Sequence, residues 1–222
     1  MSETTNEKYA GKRLYDATVA SHYNRQYTTG WGRQNLRAKL VANWEERAFE
    51  HLLPKIPVGQ QVLDVACGTG RYLLRHLAAG HVPTGMDISP DMLEHARNNT
   101  QGLNVPLLLG DAERLPFPDS SFDGVTCVRL YQRVPSEIRI QMLKEVRRVA
   151  RDWALVYFGG TTRWLDLRRT IRTSVLGLKY NGLYRATFPE ILEELRAARV
   201  HVADFRWVMP WVTDGVFVLV RW

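Results

Sequence analysis

The chain is poor in cysteine and has no long apolar run. Cys67 and Cys127 are its two thiols in 222 residues and stand 60 positions apart, which excludes a disulfide framework and leaves no metal-type spacing. Both fall at the ends of expected strands and read as buried thiols of a reducing cytoplasm. No hydrophobic stretch reaches the roughly 18 residues that a membrane span requires. The polar start Met1–Lys12 is expected to be an arm rather than a signal peptide. Repeats and low-complexity tracts are missing as well. Nothing resembles a linker between two domains, so the length suits one α/β domain with a sizeable core.

The most informative stretch is Val62–Gly70, V-L-D-V-A-C-G-T-G: an apolar run, an acid, then a glycine-rich turn that opens a helix. A parallel-sheet protein holds an adenosine-bearing ligand at such a strand end. A dinucleotide fingerprint needs a third small residue three positions after Gly70, where this chain has Leu73. Asp64, just before the glycines, would repel a pyrophosphate. A ligand carrying an ammonium and a sulfonium, such as S-adenosylmethionine, suits that position better.

Apolar periodicity and punctuation predict a helix over about 34–53, then strand 61–65, helix 70–79, strand 81–87, helix 90–98 and strands 104–109 and 122–128. Helix 136–150, strand 153–158, an insertion, helix 188–198 and strands near 200–208 and 214–221 complete the chain. Short connections between the units argue for a doubly wound sheet. The last two strands are joined only by a loop around 210–214, so they must pair antiparallel. The expected architecture is α/β: a doubly wound, seven-stranded, mostly parallel sheet with a reversed last strand, an N-terminal helical segment and an inserted helix after strand five. Its expected parts are a helical cap (1–55), a cofactor-binding core (56–160), a lid or insertion (161–187) and a closing helix and hairpin (188–222).

Four ordered segments carry a family resemblance. Val62–Tyr72, Gly85–Leu93 (G-M-D-I-S-P-D-M-L), Gly110–Phe117 (G-D-A-E-R-L-P-F) and Ser121–Val125 (S-F-D-G-V) resemble, in order, the motifs of class I S-adenosylmethionine-dependent methyltransferases, of the ubiquinone- and menaquinone-biosynthesis-like type. The resemblance covers roughly residues 60–150. It implies S-adenosylmethionine as cofactor and S-adenosylhomocysteine as product. Asp87, 17 residues after Gly70, lies one helix and one strand on and can accept hydrogen bonds from both ribose hydroxyls. Ile88 and Met92 would cover the adenine, while Asp111 would take its amino group with Ala112 presenting backbone. Gly68 and Gly70, with Thr69 between them, let the main chain approach the methionine half. Ala66 stands where most members carry glycine. Val128 and Arg129 complete the expected contacts, Arg129 toward the cofactor carboxylate or an anionic substrate. Taken singly, Asp87 or Ser89 could simply cap a helix, and Asp91 reads as first-turn stabilisation.

The stretch Leu14–Asn24 resembles the family's Y-D-x-x-A-x-x-Y-D segment, which folds over the methionine end. Tyr23 would then contact the cofactor and Tyr15 would line the substrate side, although Asn24 replaces the usual acid. After the fourth strand, Leu130–Gln132 occupies positions where relatives often carry histidine. No imidazole base is expected there, and Tyr131 and His22 remain as candidate catalytic residues.

Charge divides the chain. Residues 1–128 hold 13 Lys+Arg against 14 Asp+Glu, and residues 129–222 hold 17 against 9. Within 163–180, Trp164, Leu167, Ile171, Val175 and Leu178 recur at helical spacing, flanked by Arg163, Arg168, Arg169, Arg172 and Lys179. Two readings stay open: a lid over the substrate pocket, or an interfacial helix on an anionic membrane surface. The expected activity is methyl transfer by in-line displacement to a small or amphiphilic acceptor, anionic or lipid- and quinone-like, with no DNA and no metal involved. The expected location is the cytoplasm, including the inner membrane face. The alternatives are an RNA methyltransferase using the arginine-rich half, which shows no base-methylase N/D-P-P-Y/F tetrapeptide, and a non-catalytic cofactor-binding partner protein.

Overall fold

A computed structural model describes residues 36–162, 164, 165, 167, 170, 171, 184–209 and 215–222. Helix α1 (Leu36–Leu52) leads through a short 3-10 turn to β1 (Gln61–Val65). Then follow α2 (Arg71–Ala78), β2 (Val82–Asp87), α3 (Pro90–Asn99), β3 (Leu107–Leu109) and β4 (Phe122–Cys127). The second half holds α4 (Ser136–Val149), β5 (Ala150–Thr161), β6 (Ala186–Thr187), α5 (Phe188–Ala197), β7 (His201–Trp207) and β8 (Gly215–Arg221).

The sheet order is β3-β2-β1-β4-β5-β8-β7, with β6 paired to the end of β5. Strands β1 to β5 run parallel, and β8 is antiparallel to both β5 and β7. The chain's last strand is therefore the reversed one, inserted between β5 and β7. The order turns back between β1 and β4, the place where open α/β sheets bind ligands beyond their carboxyl ends.

Period-two alternation divides the core. On β5, Ala154, Val156 and Phe158 face the layer of α4 and α5, while Trp153, Leu155 and Tyr157 face Phe49 and Leu52 of α1 and Tyr72 of α2. Gly124 on β4 leaves room for the Trp153 indole: a Cβ there would lie 2.0 Å from the ring. Leu73 of α2 and Leu93 of α3 share a small apolar cluster with Cys67. Local signals agree with the elements. Ser89 caps α3, accepting from the Met92 N–H at 3.3 Å, with Pro90 opening the first turn. Thr187 and Glu190 form a capping box on α5.

Two expectations need correction. The strand expected over 104–109 shortens to Leu107–Leu109, because Val105 closes a turn onto Leu103 and Pro106 has no N–H to pair. The strand expected over 153–158 runs from Ala150 to Thr161, and its far end is extended by the two-residue β6, an eighth strand. No helix among the described residues is long and apolar enough to cross a membrane.

Candidate functional site

A cavity opens at the carboxyl ends of β1, β2, β3 and β4. The glycine turn forms its first wall. Cys67 N–H donates to Met86 O at 3.0 Å and Gly70 N–H to Cys67 O at 3.0 Å, so the chain doubles back tightly. The turn requires positive φ at Ala66 (56°), Gly68 (56°) and Gly70 (83°). Alanine accepts this left-handed region at a cost of about 1–2 kcal/mol, the reason glycine is usual there. A Cβ on Gly68 would meet nothing within 4 Å and would project into open space.

Asp87 ends β2 beside this turn. Its Oδ2 accepts the Gly68 N–H at 2.8 Å and its Oδ1 the Ser89 N–H at 2.9 Å. Both oxygens are oriented by backbone and keep lone pairs for a diol. Burial pushes the Asp87 carboxyl up, and the N–H groups of Ser89, Gly68 and Ile88 pull it partly back. Behind the turn, Asp64 is 1% exposed, paired in register with Gly85 and Thr126, and its Oδ2 has no hydrogen-bond partner among the described residues. Burial, reinforced by the charge of Asp87, raises its pKa well above the usual carboxylate value. A cation on the far side of the turn would relieve that pair, which matches a sulfonium- and ammonium-bearing ligand.

The structure brings most of the expected residues into one wall: Ala66, Gly68 and Thr69 from the turn; Asp87, Ile88 and Met92 after β2; Asp111 and Ala112 after β3; Val128 and Arg129 after β4. Asp111 is itself held in a turn, its Oδ1 accepting the Glu113 N–H at 3.0 Å. Asp64 and Gly70 lie one layer back, supporting the turn rather than lining the cavity. Tyr131 departs from its expected role. Its ring is fully buried, 5.2 Å from Phe158, its hydroxyl has no partner among the described residues, and it does not line the cavity. The 3-10 turn Tyr131–Arg133 rolls this side chain into the core and turns Leu130 and Arg133 to the wall instead. His22, Tyr23 and Tyr15 lie outside the described residues.

Arg129 is in the wall but already engaged. Its Nε and Nη2 grip both oxygens of Glu45 at 2.7–3.1 Å, and its backbone sits at φ 63°. Glu45 and Arg71, which also lines the cavity, escaped the sequence reading. Glu45 lies 84 residues before Arg129, and no local pattern announces the pair. Beneath α2, His76 and His81 share a 2.9 Å contact between their Nδ1 atoms, and His76 Nε2 reaches Thr126 Oγ1 at 2.8 Å. Burial and the neighbouring His81 lower the His76 pKa to about 3.

Comparison with known proteins places this geometry. Residues 62–152 match a family described as a methyltransferase domain. A demethylmenaquinone methyltransferase of Listeria welshimeri is 30% identical over 198 residues, 85% of this chain and 74% of that protein. A malonyl-[acyl-carrier protein] O-methyltransferase of Erwinia pyrifoliae is 38% identical over 135 residues, 58% of this chain and 47% of the relative. In fold, the chain is similar to magnesium protoporphyrin IX methyltransferase of Synechocystis PCC 6803, solved with S-adenosylhomocysteine: TM-score 0.77 at 17% identity, over 95% of this chain and 97% of that one. With the ordered motifs, the reversed strand and the length of the menaquinone-type match in agreement, the chain belongs to the class I S-adenosylmethionine-dependent methyltransferases.

Proposed function

We propose that this methyltransferase acts by in-line displacement on a small, amphiphilic acceptor with an acidic or anionic head and an apolar body. The observation that carries the reading is the composition of the cavity beyond the glycine turn, where Leu130 and Met142 stand beside Arg133. Relatives named for demethylmenaquinone and for malonyl-[acyl-carrier protein] support the same class. The bound cofactor supplies an electrophilic methyl group on a sulfonium. The chain's own part is orientation. Asp87 takes the ribose hydroxyls, the Ala66–Gly70 turn lies along the amino-acid half, Ile88 and Met92 cover the adenine, and Asp111 with Ala112 meets its edge. Alignment of this kind is worth on the order of 7–11 kcal/mol of barrier, and an acidic acceptor lessens the need for a general base.

The start of the insertion supports an amphiphilic partner too. Trp164, Leu167 and Ile171 are about half exposed on one helical stretch, while Leu165 is buried. We assign this stripe, with the basic residues of 163–180, to peripheral contact with the anionic surface that carries such an acceptor; the remainder of that segment lies outside the described residues. The test is transfer of labelled methyl from S-adenosylmethionine into a host extract, separated into lipid, small-molecule, RNA and protein fractions. Label in the lipid or small-molecule fraction is expected. Label in RNA overturns the acceptor class, and cofactor binding with no transfer overturns the catalytic reading.

A further inference from the structure

The charge cluster under the cavity wall has no counterpart in the sequence motifs. Glu45, on α1, is 1% exposed. Its carboxylate receives both Nε and Nη2 of Arg129, the Tyr157 hydroxyl at 3.2 Å, and Arg71 Nη1 at 3.7 Å. Arg71 is held further by Glu46 at 2.9 Å and by the Ala42 carbonyl at 2.8 Å. Arg71 and Arg129 both line the cavity, and Glu45 does not. They come from separate elements, Arg71 as the first residue of α2 and Arg129 just after β4.

Burying such ions costs several kcal/mol each, and well-packed apolar residues commonly match a buried ion pair in stability. Stability alone therefore gives no reason to bury Glu45 and to draw two partly buried arginines onto it. Direction does. A forked guanidinium–carboxylate pair fixes the plane of the arginine as well as its charge, and the left-handed backbone at Arg129 costs about 1–2 kcal/mol to place its side chain where Glu45 can grip it.

We propose that Glu45 is a positioning residue for the amino-acid end of the cofactor. It fixes the two wall guanidiniums, Arg71 and Arg129, so that they present to the carboxylate of the bound nucleoside's methionine half, and it makes α1 part of the site without touching the ligand. The inference rests on the cofactor reading above. Glu45→Gln keeps the shape but sets an amide donor against a guanidinium donor, so the fork opens and the arginines lose their fixed orientation.

The experiment compares two ligands by calorimetry on the full chain: S-adenosylhomocysteine, and 5′-methylthioadenosine, which keeps the adenosine and the sulfur but lacks the amino-acid half. In Glu45→Gln, S-adenosylhomocysteine is expected to weaken about tenfold, the scale of one charge-assisted hydrogen bond, with methylthioadenosine within about twofold of wild type on that same scale. Arg129→Lys, which keeps the charge and loses the fork, is expected to show the same selectivity and guards against a Glu45 variant that fails to fold. Equal weakening of both ligands shows a merely structural role and overturns the proposal. Unchanged or tighter S-adenosylhomocysteine binding overturns it too, by showing that Glu45 competes with the ligand carboxylate. A wild-type chain that binds neither nucleoside overturns the cofactor reading and this one with it.

Discussion

The segment from β1 to the start of α3 and the segment after β5 hold their chemistry in different ways. Around the glycine turn the working groups are backbone N–H groups, positive-φ residues and the buried Asp87 carboxylate, held by the Gly68 and Ser89 N–H groups. Past β5, the described residues offer half-exposed apolar side chains at Trp164, Leu167 and Ile171. The first arrangement suits recognition of one ligand, because a rigid turn and an oriented carboxylate admit little variation. The second suits recognition of a surface or a variable amphiphile, because exposed side chains make contact without being fixed in advance. One fold thus combines a closely specified cavity wall with a loosely specified apolar stripe.

The sharpest way to break this contrast is Gly68→Val. The site offers open space for a side chain, so folding suffers mainly from the left-handed backbone, about 1–2 kcal/mol. That open space is where the cofactor is to lie, and calorimetry with S-adenosylhomocysteine should show binding weakened by more than about 100-fold. Near-normal affinity would show that the turn is not the cradle. Asp87→Ala comes next. Losing two charge-assisted bonds to the ribose should weaken binding by roughly 30–100-fold, and an effect under threefold would detach Asp87 from the ligand.

A pH series tests whether the support of the cofactor side is as buried as its geometry implies. His76 has a folded pKa of about 3 against 6.5 in the unfolded chain. Above pH 6.5 neither state holds its proton and its contribution is fully present; between 6.5 and about 3 only the unfolded state takes one. Stability should therefore fall by up to about 1.4 kcal/mol per pH unit from this group. Asp64 and Asp87, whose pKa values are raised, act with the opposite sign and return stability as pH falls through their folded values. The difference between wild type and His76→Leu in how urea-derived stability changes with pH from 6.5 to 4.5 isolates the histidine, and an identical pH dependence would refute its burial as a neutral ring. The smallest effect on the cofactor side should come from the other region. Leu167→Glu with Ile171→Glu is expected to abolish sedimentation with anionic vesicles and to leave S-adenosylhomocysteine affinity within about twofold. Vesicle binding that survives would remove the stripe from the contact.

Elements that local rules control are legible in the sequence. β1 was expected over 61–65 and observed over Gln61–Val65; α4 was expected over 136–150 and observed over Ser136–Val149. The glycine turn was legible because its backbone demands glycine, and Asp87 because one helix and one strand return the chain to the same edge. Tyr131 was misassigned because a tyrosine in a loop after a catalytic-side strand looks reactive until a 3-10 turn is seen to roll it inward. Glu45 was missed for a different reason. Its partners, Arg71, Arg129 and Tyr157, come from three separated segments, and a glutamate in a helix carries no mark of burial.

The sequence alone determined the order of strands and helices and most of the residues brought to the cavity wall, since these follow from periodicity, strand ends and turn chemistry, and its four ordered motifs carried the resemblance that implies the cofactor class. Tertiary structure decided which side chains the wall includes: it put Arg129 in the grip of Glu45, drew Tyr131 into the core, and set His76 against His81 beneath α2. The physical reason is range. Backbone geometry is dictated by near neighbours, whereas the burial and pairing of a charge depend on what the fold brings against it from far along the chain.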